Sequence, residues 1–316
     1  MSVLHRTLAG AAAWAVFLVL RPPSPGGEAW SLALLLFAAL VLAPLALALL
    51  ADRDEAASVA RAFRVVNAVQ LPAAILLAVA CWLPPGRWAA LAALPWALLT
   101  FRLGAIGVVR LRRGGMARDL DRLSADVALG FSAVGGIWVL ADRGGATPLG
   151  FTPAIVALTA VHFHTAGLVL PLIAGLVQRE LFFVRLASRA TVGVVLGVPA
   201  LAAGITATQL GWGLSFERAA ACGLALAGMV VGVFQVRIGL EGRFSLPTRL
   251  LIGASGAALF IAMVFAVLYA LRGTFAGVGW LDLPHMRLIH GSLNALGFGL
   301  CGLAGWYRLE GERRES

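Results

Sequence analysis

Four of the five histidines of this 316-residue chain stand in two clusters inside otherwise apolar runs, and they are its residues with most capacity for chemistry. The first cluster is Val161-His162-Phe163-His164-Thr165-Ala166-Gly167. The second runs from Asp282-Leu283-Pro284-His285 through Arg287 to His290-Gly291-Ser292-Leu293-Asn294. An imidazole titrates near pH 6.5 before burial shifts it, so a histidine can carry a proton, act as general acid or base, or ligate a metal. An ionisable group in a spanning helix costs on the order of 2.5–3.5 kcal/mol on insertion scales. Such a residue marks function unless it serves only to hydrogen-bond a neighbouring helix.

Spacing assigns the roles. Residues two apart on a helix differ by about 200°, so His162 and His164 cannot face one site unless the helix is distorted. His162 shares a face with Thr165, and His164 points elsewhere, beside Leu168. Pro171 has no N–H for the Gly167 carbonyl, which weakens the helix one turn beyond the cluster. In the second cluster His290, Asn294, Gly297 and Cys301 fall at i, i+4, i+7 and i+11, one helical stripe that a helix or a ligand can approach closely. The candidate acid–base and orienting residues are therefore His164, His290 and Asn294. The candidate substrate contacts are His162, Thr165, His285, Asp282 and Gly297, with Asp282 placed to tune His285.

The elements that carry these residues follow from hydropathy. With 60% apolar and only 13% charged residues, the composition excludes a soluble globular domain, a disordered chain and a disulfide scaffold. A bilayer core of about 30 Å needs roughly 20 apolar residues as helix. Ten runs qualify, at about 5–20, 29–50, 66–84, 88–109, 123–141, 150–176, 187–210, 217–236, 248–271 and 286–307. The expected fold is all-α, a polytopic integral membrane helix bundle forming one transmembrane domain over 1–316, with the lipid bilayer as its surroundings. The first run is the shortest, about 14 residues between Arg6 and Arg21; no small-residue cleavage site follows it, so it reads as an uncleaved anchor.

All 25 basic residues are arginine. With the N-terminus inside, 19 fall on the cytoplasmic side and six outside, at 21, 87, 143, 218, 272 and 287. That skew obeys the positive-inside rule and places both termini in the cytoplasm. The heaviest block, Arg110 to Arg122, follows span four, and Asp52, Asp54 and Glu55 solvate the loop after span two. The net charge of +10 is then a mark of orientation. Nucleic acid is excluded as a partner, since no folded domain carries a basic, aromatic-studded surface.

Several motifs fail on context. Gly297-Phe298-Gly299-Leu300-Cys301-Gly302 matches GxGxxG, but it lies inside an apolar span without the strand a dinucleotide site requires. No HExxH, P-loop or cofactor motif is present, and Cys81, Cys222 and Cys301 lie in separate spans as small packing residues. The remaining buried polar groups are Asn67 and Gln70 in span three, Arg102 in span four, Asp126 in span five, and Thr206, Thr208 and Gln209 in span seven. Arg102 and Asp126 are placed to pair with each other or to snorkel. Span nine is almost wholly apolar, the expected face for lipid or a greasy cavity.

The segment His162-Phe163-His164-Thr165-Ala166-Gly167, followed by Leu170-Pro171-Leu172, resembles the HFHxAG segment of YndJ-like bacterial membrane proteins. His290-Gly291-Ser292-Leu293-Asn294-Ala295-Leu296-Gly297-Phe298 resembles their second hallmark, HGxLNAxGF, and the likeness extends over roughly 50–307. Where such proteins commonly have an aromatic after HFH, this chain has Thr165. The resemblance implies a membrane protein of the kind often labelled a transporter, and it singles out His162, His164, His290 and Asn294.

Three functions fit these residues. A permease for a small or amphipathic molecule in the bacterial cytoplasmic membrane would use the histidines and Asn294 as the outer half of a polar pathway, with Asn67, Gln70 and Asp126 as inner groups. An intramembrane enzyme acting on a lipophilic isoprenoid or polyketide would use His164 or His290 to move a proton and Asn294 to orient the reacting oxygen. A haem or metal protein would take two histidines from facing helices.

Overall fold

The computed structural model describes residues 1–51, 56–114, 119–181, 184–274 and 277–315, and no strand occurs among them. Among the described residues ten helices are long and apolar enough to cross a membrane. They are α1 (Val3–Leu20), α2 (Glu28–Leu50), α3 (Ala57–Trp82), α4 (Arg87–Gly114), α5 (Leu120–Gly144), α6 (Pro153–Glu180), α7 (Arg185–Gln209), α8 (Ser215–Leu240), α9 (Leu246–Ala270) and α10 (Leu283–Glu315). The same ten spans are legible in the sequence, and the differences lie at their ends. Helix α3 begins at Ala57 rather than near 66, and α10 runs to Glu315 rather than 307. The bilayer sets the length of the apolar run, whereas backbone hydrogen bonds continue the helix into polar flanks such as Arg313-Arg314-Glu315. Asp52, Arg53, Asp54, Glu55 and Arg118 lie outside the described residues.

The chain forms two compact units, Met1–Ser24 with Glu28–Leu172, and Pro25–Gly27 with Ile173–Ser316. In the first unit α2 is the most apolar span, with a mean hydropathy of 2.8, and it is buried nearly all round, as a helix without a polar face requires. Its backbone widens into a π-helical turn over Ala38–Leu42. The cause is in the sequence: Pro44 has no N–H for the Leu40 carbonyl four residues back. Gln70 of α3, fully buried, donates its amide to the Ala39 carbonyl at 2.8 Å. Helix α1 docks on the same turn. A Cβ at Gly10 would lie 1.9 Å from the Leu40 carbonyl oxygen, so only glycine allows this approach. Trp14 adds an indole hydrogen bond to the Ala33 carbonyl at 2.7 Å.

A second proline produces a second irregularity. Helix α6 is broken at 166–168 between its segments Pro153–Thr165 and Val169–Glu180. Pro171 cannot donate to Gly167, and the Gly167 N–H reaches back five residues to the His162 carbonyl at 2.9 Å. Ser124 of α5 donates to the Pro171 carbonyl at 2.6 Å. Asp126 does not pair with Arg102, which is exposed; its carboxylate lies 3.7 Å from Arg110. Arg110 is just over two turns further along α4 and donates to the Leu50 carbonyl as well, at 2.9 Å.

In the second unit α7, α8, α9 and α10 pack in sequence through small residues. Helix α9 is not a purely lipid-facing span. Leu250, Phe260 and Ile261 are exposed, but its Ile252–Ser255–Ala258–Ala262 face packs on α10. At one end of the unit the buried Glu180 carboxylate joins Arg243 of the α8–α9 turn to Arg313 of α10. Arg179 pairs with Glu310, so the arginine-rich end is held by ionic contacts between segments.

Candidate functional site

His164 is buried in the first unit with both ring nitrogens engaged. Nδ1 donates to the Ala160 carbonyl of its own helix at 2.7 Å, and Nε2 accepts the indole N–H of Trp96 at 2.9 Å. That pattern defines a neutral imidazole with its proton on Nδ1, because a proton on Nε2 would oppose the indole donor. The two rings are nearly parallel, with centroids 5.8 Å apart and an interplanar angle of 26°. Gly135 of α5 forms the floor: a Cβ there would lie 2.8 Å from His164 Cε1.

This pair borders a cavity of about 10 Å³, walled by Ala38, Ala43, Ser132, Phe163 and Leu168. The space holds about one water-sized sphere and no organic substrate. Its walls include residues of the Ala38–Leu42 π-turn and of the α6 break, so both irregular stretches of backbone converge on His164. Backbone of this kind is tolerated at membrane depth only where protein buries it or a cavity receives it.

The remaining residues of the first cluster separate. Thr165 is buried and returns its hydroxyl to the Val161 carbonyl at 3.0 Å. His162 is exposed and bonds the Leu158 carbonyl through Nδ1 at 2.8 Å. The shared face expected for His162 and Thr165 therefore divides between surface and interior, because one edge of the buried arc falls between them.

In the second unit the stripe becomes a packing seam. Helix α10 is π-helical over Arg287–Gly291 and Leu293–Leu300, with more than four residues per turn, yet His290 and Gly297 both face α9. His290 Nδ1 donates to the Ala262 carbonyl of α9 at 2.9 Å. Asn294 donates to the His290 carbonyl of its own helix at 2.8 Å. Gly297 sits against Ala258, where a Cβ would approach the alanine methyl to 2.6 Å. Ser255 of α9 completes the seam with a 2.9 Å bond to the Phe298 carbonyl.

Asp282 and His285 do meet. Asp282 caps α10, its Oδ1 accepting the His285 backbone N–H at 3.1 Å and His285 Nδ1–H at 2.7 Å. The backbone bond first, and then the ring bond, hold the Asp282 carboxyl below its ordinary value of 3.8. A lowered carboxylate pKa stabilises the cap above the ordinary value and loses that contribution as pH falls through the folded value. In a carbonyl carbon-13 NMR titration Asp282 is expected to titrate below 3.8. His285→Ala should return the midpoint part of the way, since the backbone donor remains. A wild-type midpoint at or above 3.8 would contradict the cap geometry.

Among the described residues no group of three or more His, Cys, Asp or Glu gathers in a way that could hold a metal ion. The residue that sequence reasoning missed is Trp96. Membrane tryptophans concentrate at the water interfaces, whereas Trp96 lies nine residues into an apolar helix and is fully buried, a position that calls for an acceptor for its N–H.

Ten apolar helices among the described residues, one buried histidine and proline-broken backbone within the apolar spans define a multi-pass integral membrane protein. The chain belongs to the YndJ-like protein family, whose profile matches residues 33–298 and so contains both histidine clusters. A curated relative, "Uncharacterized membrane protein YndJ" of Bacillus subtilis (strain 168), is 30% identical over 216 residues. The alignment covers 68% of this chain and 38% of the relative, so the chain matches well under half of that protein's length. No solved structure matches the chain.

Proposed function

We propose that the protein is a permease for a small or amphipathic molecule, with the broken helix α6 as its moving element and His164 as the polar contact beside the break. The observation that carries this reading is the convergence of two interrupted helices, at Ala38–Leu42 and at 166–168, on the buried His164–Trp96 pair. Discontinuous helices that bring irregular backbone to mid-depth are the usual construction of a transport site. The 10 Å³ cavity then corresponds to a closed state, and opening requires the α6 segments to part at Gly167. An even number of candidate spans and the arginine skew support a reading in which both termini face the cytoplasm of a bacterial inner membrane.

A second reading, an intramembrane enzyme on a lipophilic substrate, is favoured by the Asp282–His285 pair, in which a carboxylate orients an imidazole and leaves Nε2 as a potential base. Metabolite profiling of cells and medium separates the two, comparing cells that produce the wild type, His164→Ala or His285→Ala at equal membrane abundance. Transport predicts that one or more unchanged compounds shift between cell and medium, and that His164→Ala abolishes the shift. A new chemical product lost in His285→Ala would establish the enzyme instead. A His164→Ala profile identical to wild type would remove His164 from the site.

A further inference from the structure

An arginine on α1 lacks the counter-charge its burial demands. Arg6 is 7% exposed, and its one side-chain hydrogen bond runs from Nη1 to the Asn67 backbone carbonyl of α3 at 2.9 Å. Its Nε is buried without a partner, and among the described residues no carboxylate pairs with it. The Asn67 amide is oriented by its Nδ2 bond to the Phe63 carbonyl at 3.0 Å, which leaves Oδ1 buried with no donor. Pro72 has no N–H for the Ala68 carbonyl, so a second acceptor is deprived on the same turn of α3.

These groups border one open groove of about 500 Å³, lined by Met1, Arg6, Asn67, Ala68, Leu71, Pro72 and Ile75. One end therefore offers a cation and two acceptors in want of donors. The other end is apolar and continues onto exposed aliphatic side chains, Ile75 and Val79. Arg6 stands in the first turn of α1, the depth at which membrane arginines reach lipid phosphates. The groove runs wholly within the first unit.

We propose that this groove binds an anionic phospholipid with a hydroxylated headgroup, of the phosphatidylglycerol type. The phosphate neutralises Arg6, the headgroup hydroxyls donate to Asn67 Oδ1 and the Ala68 carbonyl, and an acyl chain lies along Leu71, Pro72 and Ile75. A zwitterionic choline lipid supplies the phosphate but no hydroxyl donor, and it brings a second cation toward Arg6. Inorganic phosphate supplies the anion without the chain. The assignment does not depend on what the protein transports.

Native mass spectrometry of the purified, delipidated full-length chain in detergent tests this, with phosphatidylglycerol, phosphatidylcholine or inorganic phosphate added. The wild type is expected to retain one phosphatidylglycerol under activation that strips phosphatidylcholine, with no displacement by inorganic phosphate. Arg6→Gln should weaken retention by about tenfold or more, the loss of one charge-assisted hydrogen bond. Ile75→Trp, an exposed position that leaves Arg6 in place, should weaken it too by filling the groove, and it decides the matter if Arg6→Gln does not fold. Equal retention of phosphatidylcholine, wild-type retention by folded Arg6→Gln or by Ile75→Trp, or displacement by inorganic phosphate would each overturn the assignment.

Discussion

Replacing Asp142 with leucine is expected to destabilise the protein by about 3–5 kcal/mol, the usual cost of breaking a buried ion pair from one side. Asp142 and Arg143 are 8% and 5% exposed, and Arg143 Nε lies 2.7 Å from Asp142 Oδ2. The further contact of Arg143 Nη1, 3.5 Å from the Ala80 carbonyl, is long and cannot neutralise a charge. Loss of the carboxylate leaves a buried guanidinium facing protein on most sides. The double variant Asp142→Leu, Arg143→Met removes both charges at similar volume, and it should recover most of the loss, because a buried pair contributes little net stability over an apolar replacement. Unfolding midpoints in one detergent, for the two single variants and the double, form the thermodynamic cycle. If Asp142→Leu costs no more than an exposed substitution, the pair is solvated and the buried geometry is wrong.

The second large effect is expected at Gly10. Even alanine there places its Cβ 1.9 Å from the Leu40 carbonyl oxygen and 2.7 Å from the carbonyl carbon. The obstacle is backbone, which cannot rotate away, so α1 has to move off α2 and its Trp14 bond to Ala33 goes with it. Overpacking ordinarily costs about 1–3 kcal/mol, and Gly10→Ala should reach or exceed the top of that range. Gly130 in α5 is the control, because a Cβ there meets nothing within 4 Å. Gly130→Ala is expected to be neutral or to stabilise by up to about 1 kcal/mol, the helix-propensity difference. Equal unfolding midpoints for the two variants would mean that α1 is not docked on the Leu40 carbonyl.

Both residues illustrate a limit on what one-dimensional pattern can carry. Arg143 reads from sequence as one of six outward arginines, and nothing in its spacing says that its neighbour Asp142 is buried with it. Gly10 reads as an ordinary small residue in a short apolar run. Its partner is set by Pro44, whose missing N–H makes the Leu40 carbonyl prominent, and that proline is visible in the sequence while the docking of α1 on it is not. Likewise Pro171 marks the weak point of α6, yet the break occupies 166–168 and brings His164, not His162, into the interior.

In the second histidine cluster the stripe is met by a helix, one of the two approaches its spacing allows. A period of 3.6 aligns His290, Asn294, Gly297 and Cys301; the π-helical turns of α10 change the period, yet His290 and Gly297 still share the face packed against α9. A pattern argument assumes a regular helix, and the glycine-rich stretch from 291 to 302 is where that assumption is weakest.

What the amino-acid sequence determined by itself is everything the bilayer demands locally: ten apolar runs of sufficient length, the proline interruptions, and the arginine asymmetry, since each depends only on the cost of placing a side chain or backbone group in hydrocarbon. What only the tertiary structure decided is pairing. Trp96 and His164 lie 68 residues apart, and Arg6 and Asn67 lie 61 apart, so their contacts depend on how each helix is rotated about its axis. Helices in lipid are turned by close packing of small residues rather than by hydrophobic burial, and that packing is a property of two surfaces together.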